Sequence, residues 1–99
     1  MRLSQVQIDA IAQVFQQVFS HGEVVLFGSR VDDQKKGGDI DLYIQPAEVM
    51  PDLFTRKIRF LSMLKRRIGD QKIDLVLAPF SPESLKREIK GTGVVLCRM

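Results

Sequence analysis

An α+β fold (mixed α/β), built on a small mixed sheet, is what the sequence predicts, and three observations predict it. Segments of helical and of strand periodicity alternate in the order α-β-β-α-β-α-β. The second and third strand segments are joined by a helical one, which makes those two strands parallel. At 99 residues there is room for one modest core, so residues 1–99 are expected to form a single domain.

Ser4 and Gln7 make a capping-box start. Val6, Ile8, Ile11, Val14, Phe15, Val18 and Phe19 then recur at helical spacing until Gly22 ends the pattern. "EVVLF" reads as a short buried strand, broken by Gly28-Ser29. A polar loop ending in Gly37-Gly38 follows, and "DIDLYI" reads as the second strand. Pro46 and Pro51 bracket the next connection. Leu53, Phe54, Ile58, Leu61, Leu64 and Ile68 form the predicted apolar stripe of a second helix, which stops at Gly69. "KIDLVLA" is a third β-rich run. Ser81-Pro82-Glu83 opens a third helix that runs to about Lys90, and "GVVLC" closes the chain as a short strand.

The 44% hydrophobic and 27% charged content is ordinary for a globular protein, and no apolar run approaches the roughly 20 residues needed to span a bilayer. "MRLSQVQIDAIAQ" lacks the apolar stretch and cleavage site of a secretory signal, so a cytoplasmic location is expected, without membrane association. Cys97 is the only cysteine, which agrees with a reducing compartment and reads as a packing residue. His21 reads as a helix C-terminal residue beside Gly22. The net charge of +3 is mild and sits mostly in "RKIRF" and "KRRIG" on the second helix, where cations ordinarily solvate the outer face. The aromatics that would interleave such cations on a single-stranded nucleic-acid surface are missing, so direct nucleic-acid binding is not expected.

Residues i and i+2 of a strand share a face, so Asp39 and Asp41 point one way while Ile40 and Leu42 point into the core. Two carboxylates so close repel each other and raise one pKa unless a cation sits between them. Mg²⁺ takes oxygen ligands and commonly uses one or two carboxylates plus substrate phosphates, which suits the pair. "KIDLVL" repeats the pattern: Ile73 and Leu75 face the core and Asp74 faces away. If strands two and three are neighbours in register, three carboxylates converge. Gly28 allows close backbone approach, and Ser29 offers a hydroxyl and an amide to a phosphate. For Ser29 to face Asp39, strand one must run antiparallel to strand two, with Arg30, Lys35 and Lys36 in the loop turning over the site. Phosphate donors and metal ligands in one pocket suit in-line displacement at a nucleotide phosphorus. Rossmann and Walker phosphate signatures are absent, and Tyr43, on the face of Asp41, reads mainly as a packing residue.

On these residues the chain resembles a minimal nucleotidyltransferase (MNT) domain of the DNA polymerase beta-like superfamily. The hallmark of a glycine-serine turn, D-x-D and a later single aspartate is carried by Gly28, Ser29, Asp39, Asp41 and Asp74, and "FGSR" with "GDIDL" follows the minimal group's wording. The closing "IKGTGVVL" resembles that group's ending, and the loop between Ser29 and Asp39 is one residue shorter than is usual there. The resemblance implies a small nucleotidyltransferase fold, a mixed sheet with helices packed mainly on one face. It also implies the antitoxin of a toxin–antitoxin pair with a HEPN-domain toxin, in a hetero-oligomer. The implied activity moves AMP from ATP to a hydroxyl, a tyrosine of the toxin. Asp39 and Asp41 would hold two Mg²⁺ ions, Asp74 would bind one and help activate the acceptor, and Gly28 with Ser29 would hold the phosphates, joined by Arg30. Two other readings stand beside it: a non-catalytic antitoxin that neutralises its partner by covering it, and nucleotidyl transfer to a small molecule.

Overall fold

The computed structural model describes residues 1–34 and 38–99. Lys35 and Lys36, expected to turn over the site, lie outside the described residues, as does Gly37. The chain forms α1 (Gln5–Phe19), β1 (Gly22–Phe27), a 3₁₀ turn (Gly28–Val31), β2 (Ile40–Pro46), α2 (Leu53–Ile68), β3 (Ile73–Leu77), a second 3₁₀ turn (Ala78–Phe80), α3 (Glu83–Thr92) and β4 (Val94–Arg98). The α+β architecture matches the expected order.

Each boundary has a local cause. Ser4 accepts from the Gln7 amide while the Gln7 side chain reaches back to the Ser4 amide, so the capping box forms. α1 ends before Gly22, at Ser20, whose φ of 70° no helix continues. α2 stops at Gly69. α3 begins behind Pro82, and the Ser81 hydroxyl donates to Ala78 O at 2.8 Å rather than capping the helix.

The sheet order is β3-β2-β1-β4. β2 and β3 are parallel, as a helical crossover requires, and β1 runs antiparallel to both β2 and β4. One face, with Val24, Leu26, Ile40, Leu42, Ile44, Ile73, Leu75 and Leu77, packs against α1 and α2. The Phe15 and Phe19 rings stack at 5.6 Å, and Phe19 meets Phe60 of α2 at 6.0 Å, contacts worth about 0.5–1.5 kcal/mol each beyond area burial. On the other face α3 sets Ile89 against Val25, Tyr43 and Ala78. α1 and α2 therefore share one face, and Tyr43 is a packing residue.

The stripe of α2 differs from the expected one. Its buried residues are Leu53, Phe60 and Leu64, whereas Phe54 is 68% and Ile58 54% exposed. Val6 on α1 is likewise exposed. Two of the α2 cations serve as ties to α1: Arg56 pairs with Asp52 and donates to Val18 O, and Arg67 donates to the Gln13 side chain. Cys97 packs against the main core, and burial pushes its thiol pKa up. No helix is long and apolar enough to cross a membrane among the described residues.

Candidate active site

The sheet register builds the site. Asp41 of β2 and Asp74 of β3 are Cα partners in adjacent parallel strands, and Phe27, the last residue of β1, is the partner of Asp41 on the other side. Because their neighbours Ile40, Leu42, Ile73 and Leu75 are all buried in the main core, both carboxylates emerge on the opposite face of the sheet. Asp74 is exposed and Asp41 half-buried.

Asp39 lies one residue before β2 instead of within it. The strand starts where the Ile40 amide donates to Lys72 O at 3.0 Å, and this pairing brings the Lys72 ammonium to 3.4 Å from Asp39 Oδ2. Lys72, which the sequence reading passed over, thus supplies positive charge beside the carboxylates.

The turn after β1 closes on them. Gly28 has φ +77°, and a Cβ there would overlap Asp41 Oδ2 and lie 3.1 Å from Asp41 Cγ, so only glycine lets the backbone approach this carboxylate. Ser29 meets the far end of the loop: a Cβ on Gly38 would overlap Ser29 Oγ and lie 3.2 Å from Ser29 Cβ. The antiparallel β1–β2 pair therefore sets Gly28 against Asp41, and Ser29 against the residue before Asp39. Arg30 is the exception. Its guanidinium donates to Gly38 O, Arg2 O and the Gln71 side chain.

Crowding shows in the protonation of Asp41. Burial, then the Asp74 and Asp39 charges and a hydrogen bond with Asp74, hold its carboxyl above the ordinary carboxylate range, while Lys72 pulls the other way. The ionised form therefore costs stability. That cost is absent below the unfolded-state pKa, near 3.9, and complete above the raised folded value.

The donor set is hard oxygen, which suits Mg²⁺. Among the described residues no three His, Cys, Asp or Glu side chains are gathered as a ready-made metal cage. The fit is that of an ion held by one or two carboxylates and completed by substrate phosphates and water.

A glycine-serine turn pressed against strand-borne carboxylates, on a small mixed sheet, defines a nucleotidyltransferase. The family model described as polymerase beta, nucleotidyltransferase, matches residues 9–99, and the chain belongs to that family. No curated protein matches the chain. Among solved structures it is similar to a tri-AMPylated Shewanella oneidensis HEPN toxin in complex with MNT antitoxin, at 17% identity and TM-score 0.73, over 98% of this chain and 74% of that one. It is similar to a toxin–antitoxin with AMP-PNP, at 17% identity and TM-score 0.75, over 93% and 73%. The MntA–HepT toxin–antitoxin gives 16% identity and TM-score 0.71, over 97% and 74%. At these identities the likeness is one of fold.

Proposed function

We propose that this chain moves AMP from ATP to a hydroxyl of a protein partner, a tyrosine of a HEPN toxin, and acts in the cytoplasm as the antitoxin of that pair. The observation that carries the chemistry is the pairing of Asp41 with Asp74 in register, against the Gly28 turn. The partner is supported by the fold-level likeness to HEPN–MNT complexes, one of them tri-AMPylated.

Gly28 and Ser29 receive the triphosphate through backbone and hydroxyl. Asp39 and Asp41 would hold two Mg²⁺, with Asp74 a further ligand to one, and a cation there would offset the crowding of negative charge around Asp41. Bound Mg²⁺ supplies neutralisation of the phosphates and a lower pKa at the acceptor oxygen. Asp74, the exposed carboxylate, takes the acceptor's proton as its oxygen attacks the α-phosphorus. The bond from that phosphorus to the bridging oxygen breaks, and pyrophosphate leaves. A tyrosine hydroxyl with an ordinary pKa near 10 needs this help, and general-base assistance is worth roughly 10²–10⁴ in rate.

One observation favours the second reading, an antitoxin that works by covering its partner. Phe54, Ile58 and Phe80 stand exposed, and a groove lined by Phe54, Lys57 and Phe80 runs between α2 and β3. Incubation of the chain with a HEPN partner, Mg²⁺ and ATP labelled at the α-phosphate separates the readings. Label on the partner supports transfer. A tight, unlabelled complex supports covering and refutes transfer to that partner, and label on an added aminoglycoside alone supports a small-molecule acceptor.

A further inference from the structure

Two arginines beside the glycine-serine turn bond inward. Arg2 Nη2 donates to Ser29 O at 2.8 Å and Arg2 Nε to Asp32 O at 2.9 Å. The Arg2 amide donates to Arg30 O at 2.7 Å, and Arg30 Nη1 answers by donating to Arg2 O at 3.1 Å. Arg30 Nε reaches Gly38 O at 3.2 Å, and Arg30 Nη2 reaches Gln71 Oε1 at 3.4 Å. The N-terminal ammonium adds an ion pair with Asp33. Gly38 immediately precedes Asp39, and Gln71 lies in the approach to β3, which carries Asp74. The two guanidinium groups thus tie the N-terminal segment to the turn, to the residue before the D-x-D pair and to the lead-in of the third carboxylate.

We infer that Arg2 and Arg30 are a single positioning clamp, which fixes the Gly28–Ser29 turn and the loop end at Gly38 relative to Asp39 and Asp41. Arg30 acts in it through the Gly38 and Arg2 carbonyls and the Gln71 side chain, not by touching phosphate. The inference rests on the proposed role of that turn in holding the nucleotide, although the clamp itself is visible without it.

The physical need is local. The turn is a 3₁₀ segment of four residues, a geometry with poor intrinsic hydrogen bonds, closed at its end by Asp32 N donating to Ser29 O at 3.2 Å. Left to itself such a turn samples many conformations, and ordering it would be charged to nucleotide binding. A guanidinium suits the task because its rigid fork serves two carbonyls at once, Ser29 O and Asp32 O for Arg2, which a lysine ammonium on a flexible stem cannot reproduce.

A double-mutant cycle on the full chain tests the clamp by calorimetric titration of Mg²⁺·ATP. Arg2→Met and Arg30→Met should each weaken binding about tenfold, or about 1.4 kcal/mol. The double variant should be weaker than either single one by less than about threefold, because a clamp already open loses nothing more. Arg2→Lys should recover only part of the loss. Amide hydrogen exchange without nucleotide should quicken in both single variants over residues 29–32 and 38–40, and stay unchanged in α1 and β1, which a global loss of stability would not do. Two results would overturn the clamp: unchanged exchange at the turn in Arg2→Met, or an ATP affinity that Arg30→Met lowers and Arg2→Met leaves alone, which would make Arg30 a phosphate ligand. If the wild type failed to bind Mg²⁺·ATP at all, the nucleotidyl-transfer reading would fail, while exchange at residues 29–32 would still decide the clamp.

Discussion

Replacing Gly28 by alanine perturbs the backbone and the site together, and the structure provides a control that separates them. At φ +77° an alanine costs about 1–2 kcal/mol for the left-handed conformation. In a chain of this size each kcal/mol lowers the Tm by about 4–8 °C, so a loss of about 4–16 °C is expected. The new Cβ would overlap Asp41 Oδ2 and stand 3.1 Å from Asp41 Cγ. To regain ordinary contact the carboxylate must retreat by about 1 Å, a misplacement that can cost on the order of 100-fold in rate. Gly69 is the control, since it has φ +87° with nothing among the described residues within 4 Å of an added Cβ. Gly69→Ala should therefore share the stability loss and keep the activity. Calorimetric melting and single-turnover AMP transfer to the partner, both below the Tm of the weaker variant, give the two readouts. Transfer by Gly28→Ala within about threefold of Gly69→Ala would refute the claim that the Asp41 carboxylate is held in place by a turn only glycine can make.

Two further outcomes follow from charge. Asp41→Asn should raise the Tm at neutral pH by about 1–8 °C, from the roughly 0.2–1 kcal/mol of like-charge opposition across adjacent strands, and melting curves from pH 4 to 8 should lose the decline in stability that ionisation of a raised carboxyl imposes as pH rises. An unchanged or lower Tm would remove the crowding argument. On α2, Arg59→Glu with Arg66→Glu should slow association with an acidic partner at least about tenfold at low salt and little at high salt, read by stopped-flow mixing; equal rates at low salt would return these cations to plain solvation. Arg56 is left out of that pair because its contacts with Asp52 and Val18 O tie α2 to α1.

Much of this was legible in the sequence because the signals are local. The capping box needs only Ser4 and Gln7, and the alternation around Asp41 and Asp74 states which face each of these two carboxylates takes, whereas Asp39 falls one residue before the strand. The antiparallel β1–β2 pair followed from asking how Ser29 could face Asp39. The burial of α2 was misread for a reason helical periodicity cannot resolve. Leu53, Phe60 and Leu64 form one helical stripe, and Phe54, Ile58 and Leu61 form a neighbouring one. Contacts with α1, such as Phe60 against Phe19 and Arg56 against Val18 O, choose between them. The role of Lys72 emerges only once β3 is in register with β2. Arg2 stands 27 residues from Ser29, so no local pattern announces their hydrogen bond. Sequence places the charge of Arg30 beside Ser29 but does not show that its guanidinium bonds Gly38 O, Arg2 O and the Gln71 side chain.

The most direct measurement concerns Asp74, the carboxylate whose proposed task is to take the acceptor's proton. Asparagine preserves the shape of the side chain but removes the charge and the capacity to accept a proton. With Asp39 and Asp41 intact, calorimetry should find Mg²⁺·ATP affinity of Asp74→Asn within a few-fold of wild type. Single-turnover transfer at saturating ATP and partner, which isolates chemistry from binding, should fall by roughly 10²–10⁴. Transfer by Asp74→Asn at a rate close to wild type would contradict the three-carboxylate account.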